Sequence, residues 1–328
     1  MPSNKLPKLG LVGDMGGTNA RFAITAKGSD GPVLQSCATL NASNFQTPEA
    51  AISEYLSGVE LPCAPHFAVI AVAGPVTDNS VTFTNLSWHL SGDAIAARFK
   101  IGKVTLINDF EALAKSIPAL GLNDSKLIGR EVDGLKDGII AILGPGTGFG
   151  VSALVRQTGQ ETVVPTEGGH VAFAPQSDVE LALWQVLRRK FGRVSVEHVL
   201  SGPGLLNLYQ AFCEIDHATP RCFDPRDITV AAGEGDNVAA RTIDQFCRAL
   251  GSVAGDIALG LGARGGIYLA GGIAPRLLDG PHASGFRERF EAKGRLESYV
   301  KAIPTRMIAQ PYAALIGAAR YAPNPAEI

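Results

Sequence analysis

The sequence predicts an α/β fold. Strand-length apolar runs alternate with helical patterns, several of those runs stop at glycine-rich turns, and one strand–turn–strand unit occurs twice.

In chain order, residues 9–13 read as a buried strand, 14–19 as a turn and 20–24 as a second strand. Thr47-Pro48-Glu49 supplies a cap, a proline at the first helical position and an acid in the first turn, opening a helix that ends near Gly58. Residues 66–73 form a continuous apolar strand closed by Gly74-Pro75, and 91–99 a short helix. The buried strand 103–107 runs straight into Asn108-Asp109, and the helix 110–117 stops before Pro118. Residues 138–143 are a strand leading into Gly144-Pro145-Gly146-Thr147-Gly148-Phe149-Gly150, with 151–155 as its return strand. Long helical patterns follow at 178–191 and 236–263. A strand at 267–270 enters Gly271-Gly272, and the chain closes with a strand near 306–309 and a helix at 313–321. The turns after Gly13 and after Leu143 share one pattern, which suggests a duplicated architecture. The stretch 118–123 is the natural boundary within a chain whose 328 residues suggest two domains.

Composition narrows the function classes. Apolar residues make up 46% and charged residues 18%, enough for sizeable cores, and the net charge is −2. No basic field is present to hold nucleic acid or an anionic membrane. Five widely spaced cysteines (Cys37, Cys63, Cys213, Cys222 and Cys247) contain no C-x-x-C pair, so neither a disulfide framework nor a zinc site is expected. That pattern, and an opening Met1-Pro2-Ser3-Asn4-Lys5 without an apolar leader, point to the cytoplasm. The apolar stretch 249–263 is broken by Asp256 and glycines, so no membrane span is expected.

The chemistry gathers at the turns. In Gly13-Asp14-Met15-Gly16-Gly17-Thr18-Asn19, glycines let backbone N–H groups reach phosphate oxygens, Thr18 adds a donor, and Asp14 can hold Mg²⁺ directly or through water. An ordinary Gly-Gly hairpin would read the same. Gly144, Gly146, Thr147 and Gly148 can form a second anion cradle, or a structural bulge; no G-x-x-x-x-G-K-[ST] occurs. Gly271 and Gly272 end a strand, where α/β sheets collect ligands and where an adenine ring could pass. Asn108 and Asp109 sit at a strand end that also starts a helix, so capping and catalysis are both open. In Glu167-Gly168-Gly169-His170 a carboxylate and an imidazole suit sugar hydroxyls, while Glu197 alone passes as a surface residue. Glu111 and Lys115 read as solvated helix positions, and Trp88 as packing.

Together these segments are similar to the bacterial, hexokinase-like glucokinase family of the sugar kinase/Hsp70/actin superfamily. Gly13-Asp14-x-Gly16-Gly17-Thr18-Asn19-x-Arg21 resembles its first phosphate motif. Ile107-Asn108-Asp109-Phe110-Glu111-Ala112, Gly144 to Gly150, Glu167 to His170, Leu200-Ser201-Gly202-Pro203-Gly204-Leu205 and Leu269-Ala270-Gly271-Gly272-Ile273 follow in the family's order. The resemblance implies a two-domain, actin-like or ribonuclease H-like ATPase fold with an interdomain cleft. The small α/β domain would take residues 1–119 plus about 311–328, and the large one 120–310. It implies ATP-dependent phosphorylation of D-glucose at the 6-hydroxyl, a glycolytic reaction. Asp109 would be the catalytic base, and Asn108, Asp109, Glu167, His170 and Glu197 the sugar ligands. Gly13 through Asn19, Gly144, Gly146, Thr147, Gly148, Gly271 and Gly272 would bind ATP, and Asp14 would hold Mg²⁺. Family members are often homodimers. A related repressor and kinase group carries a cysteine-rich zinc motif after its Glu-Gly-Gly-His-like segment; here no cysteine stands between His170 and Cys213. The alternatives are a kinase for another hexose or N-acetylhexosamine, an actin-like ATPase without a sugar, and a sugar-sensing regulator.

Overall fold

The computed structural model describes residues 8–29, 31–83, 88–278 and 283–322; the readings made on residues 1–5 lie outside them. One compact unit runs to Gly121 and takes up the chain again at Gln310, and a second spans Leu122–Ala309.

In the first unit, β1 (Gly10–Met15), β2 (Asn19–Lys27) and β3 (Pro32–Asn41) form an antiparallel meander. After α1 (Pro48–Ser57), β4 (Phe67–Val72) returns parallel to β1. A small pair, β5 (Ser80–Thr82) and β6 (His89–Ser91), precedes α2 (Gly92–Phe99). Then β7 (Lys103–Asn108) adds parallel to β4 and feeds α3 (Asp109–Ser116). The sheet order is β3-β2-β1-β4-β7.

The unbroken apolar runs have a plain cause: β1 and β4 are buried on both faces. Leu11, Met15, Ile70 and Val72 point to one core with Ile52 and Tyr55 of α1 and Ile95 of α2. Val12, Val69, Ala71 and Ile107 point to the other, closed by Ala112 of α3 and by Leu315 and Ala318 of the C-terminal helix Ala313–Ala319. That helix lies close to α3 at Gly317, where a Cβ would stand 1.7 Å from the Ala112 carbonyl oxygen.

The second unit repeats the pattern. After β8 (Ser125–Leu127), the strands β9 (Ile140–Pro145), β10 (Phe149–Gln157) and β11 (Gln160–Thr166) form the same antiparallel meander. The helices α4 (Asp178–Phe191), α5 (Gly202–Ile215), α6 (Pro225–Gly233) and α7 (Asn237–Leu261) follow. Then β12 (Gly266–Leu269) pairs parallel with β9, as β4 does with β1. The short α8 (Ala274–Leu277), α9 (Ala283–Glu291) and α10 (Glu297–Lys301) lead to β13 (Thr305–Ile308). The sheet order is β11-β10-β9-β12-β13-β8. A buried carboxylate ties three helices together: Glu180 of α4 accepts from both Arg289 of α9, at 3.1 Å to each oxygen, and Gln245 of α7, at 2.9 Å.

Several short or half-covered elements escaped the sequence reading, and for β3 and α5 the physical reason is plain. The edge strand β3 is only half covered, so it lacks an apolar run. The helix α5 begins with Gly202-Pro203-Gly204, which reads as a loop. Ser201 caps it through Gly204 N–H at 2.9 Å, and a proline fits the first helical turn. One expectation is corrected: Glu111 and Lys115 are half-buried, with the Lys115 ammonium 5.9 Å from the Tyr321 ring centre. Trp88 is core, packed edge-on against Phe83 at 5.8 Å.

Gly317 offers a signed test of this packing. In an exposed helix, Gly→Ala stabilises by about 0.5–1 kcal/mol. Here the methyl meets the α3 backbone, and overpacking of that kind costs about 1–3 kcal/mol. Gly317→Ala should therefore lower the urea midpoint. A raised midpoint would show that the two helices are not in contact there.

Candidate functional site

The residues singled out from sequence fall into two groups, one in each unit. In the first unit, pairing aligns Met15 with Val72 and Val72 with Asn108, so the carboxyl ends of β1, β4 and β7 lie in one row. Asp14, in register with Ile107, and Asp109, two residues further on, thus sit at the same end of the sheet, two strand spacings across and roughly 12 Å apart.

Asn108 is committed to the local geometry. Its Oδ1 accepts from Phe110 N–H at 2.9 Å and Glu111 N–H at 3.4 Å, capping α3. Its Nδ2 donates to the Gly74 carbonyl at 3.1 Å. Gly74 has φ +135, a conformation that favours glycine. The side-chain amide has a second N–H to offer a ligand. Asp109 follows as the first residue of α3, half-buried, with Oδ1 accepting from Phe110 N–H at 3.0 Å. A carboxylate there faces the positive end of the helix. Capping and site placement are therefore divided between two neighbours: Asn108 holds the turn, and the turn presents Asp109.

Asp14 pairs across the β1–β2 hairpin with Arg21, whose guanidinium donates to Oδ2 at 2.8 Å. The carboxyl side chain is only 15% exposed. Burial pushes its pKa above the ordinary carboxylate range, and the Arg21 charge and hydrogen bond only partly offset this. Gly16 N–H bonds to the Asn19 carbonyl at 2.9 Å and closes the turn. The Met15 side chain lies in the core, so only its backbone is available to a ligand.

The second unit holds the other group around Glu197. Within the loop, Gly146 N–H bonds to Gly148 O at 2.8 Å and leaves Thr147 exposed at the tip. Glu197 Oε2 accepts from Phe149 N–H at 2.8 Å. Glu197 N–H donates to Gly169 O at 2.9 Å, and Ser201 Oγ donates to Glu197 O at 2.8 Å. Gly202 N–H returns to Gly146 O at 2.9 Å, closing a ring of contacts. Gly169 must be small: a Cβ there would lie 2.0 Å from Phe149 O. On either side of it, Glu167 and His170 are 69% and 59% exposed, with Oε2 and Nε2 3.9 Å apart. Both carry polar atoms free to turn toward a solute. Gly271, at φ +85, backs onto the loop, since a Cβ would meet Pro145 O at 2.4 Å, while Gly272 faces open space.

Sequence reasoning missed several contributors. Arg21 stood in the first motif without a role. Gly74 read only as a strand terminator. Ser201 and Gly202 carried no assignment, and the Phe149 N–H is a backbone group that no residue type announces. Glu197, which alone passes for a surface residue, is half-buried and bonded on both its backbone and its carboxylate.

A divalent cation can be tested against these residues. No cluster of three or more His, Cys, Asp or Glu able to hold a metal occurs among the described residues. Asp14 is a single, poorly solvated carboxylate whose burial outweighs the stabilisation that Arg21 gives its charge. Mg²⁺ fits that arrangement, because it keeps several waters and needs one or two carboxylates beside phosphate ligands.

Comparison with known proteins then bears on the whole chain. The family model described as Glucokinase matches residues 11–325. A glucokinase of Caulobacter vibrioides is 47% identical over 321 residues, covering 97% of this chain and 96% of the relative. A crystal structure of glucokinase from an Antarctic psychrotroph superposes with a TM-score of 0.84 at 38% identity, covering 95% of this chain and 98% of that one. A ROK family glucokinase from Streptomyces griseus, solved with glucose and AMPPNP, shares the fold at TM-score 0.63 and 19% identity, covering 96% of this chain and 99% of that one.

The raised Asp14 pKa sets a sign for stability. The folded chain holds that proton to higher pH than the unfolded chain, so stability falls as pH rises from about 3.9 through the folded value. Asp14→Asn removes the effect, and Arg21, a third exposed, loses its partner at small cost. Without ligands, the variant should therefore gain on wild type in denaturant titrations as pH goes from 4 to 7. A variant that instead lost ground with rising pH would contradict the burial argument.

Proposed function

The chain belongs to the glucokinase family, and from that premise we propose that it transfers the γ-phosphoryl group of ATP to the 6-hydroxyl of D-glucose. The carrying observation is Asp109, presented at the end of β7 by the Asn108 cap, at the end of the sheet that also carries Asp14. The 6-oxygen forms the new bond to phosphorus, the bond to the β-bridging oxygen breaks, and ADP leaves. Asp109 takes the proton of the 6-hydroxyl. Positioned proton transfer of this kind contributes about 10² to 10⁴ in rate.

Asn108, Glu167, His170 and Glu197 would hold the sugar with Asp109. Buried groups that pair with a particular hydroxyl disfavour a sugar lacking it. The turns 13–19 and 144–148 would supply backbone N–H groups to the phosphates, and Gly271-Gly272 would leave room for the adenosine. Mg²⁺, held on Asp14 directly or through water, would supply charge neutralisation between the phosphates. The rest of the acceleration would come from orientation and from those fixed donors. We infer a cytoplasmic setting from the five free cysteines.

Two measurements test this reading. Asp109→Ala should lower kcat by about 10² to 10⁴ while circular dichroism reports an unchanged fold; near-normal turnover would remove Asp109 from the role. A coupled ADP assay with glucose, mannose, fructose and N-acetylmannosamine should give the highest kcat/KM with glucose. Preference for the amino sugar would select the N-acetylhexosamine kinase, and sugar-independent ADP release would select a simple ATPase.

A further inference from the structure

A carboxylate that only had to meet a sugar hydroxyl would need no partner in the glycine loop. Glu197 has one. Its Oε2 accepts from the Phe149 N–H at 2.8 Å. The same oxygen packs over Gly148: a Cβ on that glycine would lie 2.4 Å from Oε2 but 3.9 Å from Oε1. Phe149 opens β10 and pairs with Pro145, so the contact grips the loop at its closing pair. The Glu197 backbone is anchored as well, by its N–H on Gly169 O and by Ser201 Oγ on its carbonyl. One charged residue therefore links the Glu-Gly-Gly-His turn to the glycine loop, through atoms that all belong to one unit.

We propose that Glu197 is a positioning residue for the nucleotide as well as a sugar ligand. Oε2 holds the glycine loop in its phosphate-accepting shape, and Oε1 is left for the sugar. Both affinities thereby depend on one carboxylate. The proposal rests on the reading of Glu197 as a sugar ligand and adds a consequence that this reading does not contain. Removing Oε2 leaves the N–H of buried Phe149 without its charged acceptor. Such hydrogen bonds contribute enough to change an equilibrium roughly tenfold or more.

The test is nucleotide affinity in the absence of sugar. Calorimetric titration with magnesium AMPPNP would be run on wild type, Glu197→Gln, Glu197→Ala and Gly148→Ala, with the KM for glucose measured in parallel. Glutamine keeps an oxygen for the Phe149 N–H, so Glu197→Gln should stay within about threefold of wild type for nucleotide while its glucose KM rises about tenfold or more. Glu197→Ala should weaken nucleotide binding about tenfold or more with no sugar present. Gly148→Ala, whose methyl displaces Oε2, should weaken both ligands. Glu197→Ala that binds nucleotide as tightly as wild type overturns the proposal. If its glucose KM still rises, the sugar reading survives alone; if no variant alters glucose KM, the sugar reading fails with it. Should Glu197→Ala not fold, an unchanged glucose KM in Gly148→Ala overturns the proposal independently.

Discussion

Strands buried on both faces leave only their ends for polar chemistry, and that constraint organises this molecule. β1 and β4 send alternate side chains into two separate cores, and β9 is buried along its whole length. A charged group along them is costly unless it is paired, as Asp14 near the end of β1 is with Arg21. The row Met15, Val72, Asn108 marks the strand ends, and the polar groups gather at it: Asp14 one residue before the row, the Gly74 carbonyl and Asp109 just beyond it. The second unit obeys the same rule, with the glycine loop following β9 and Gly271 following the parallel β12.

Glycine is required at these ends because backbones crowd as the strands converge. Gly144 and Gly271 sit against carbonyls of the neighbouring strand end, and Gly169 against the carbonyl of Phe149. Side chains there would separate segments that hydrogen bonds hold together. Crowding also lets backbone N–H groups do work that side chains would otherwise do. The ring through Gly146, Gly202, Ser201, Glu197 and Phe149 is closed largely by main-chain donors and acceptors, with one carboxylate inside it.

Much of this was legible in the sequence. Continuous apolar runs gave away β1, β4, β9 and β12, because a strand buried on both faces needs apolar residues at every position, and buried Val104, Leu106 and Ile107 gave away the edge strand β7. The paired strand–turn–strand pattern announced the repeat that the two meanders realise. Asn108 next to Asp109 announced a capped helix at a strand end. What stayed hidden was of two kinds. Half-exposed elements such as β3 carry no periodic signal, and a helix opened by Gly-Pro-Gly reads as loop until Ser201 is seen to cap it. The other kind is backbone chemistry: the Phe149 N–H and the Gly74 carbonyl are common to every residue type. Their partners Glu197 and Asn108 could be named, but not the reason they are held.

The central claim is a phosphoryl transfer to one particular oxygen, and phosphorus NMR reads that directly. With ATP, Mg²⁺ and glucose, the account predicts that the new phosphomonoester resonance is split by the two protons on carbon 6 of the sugar, appearing in step with ADP. A new signal from inorganic phosphate alone, or a phosphomonoester coupled to a different sugar proton, would contradict it.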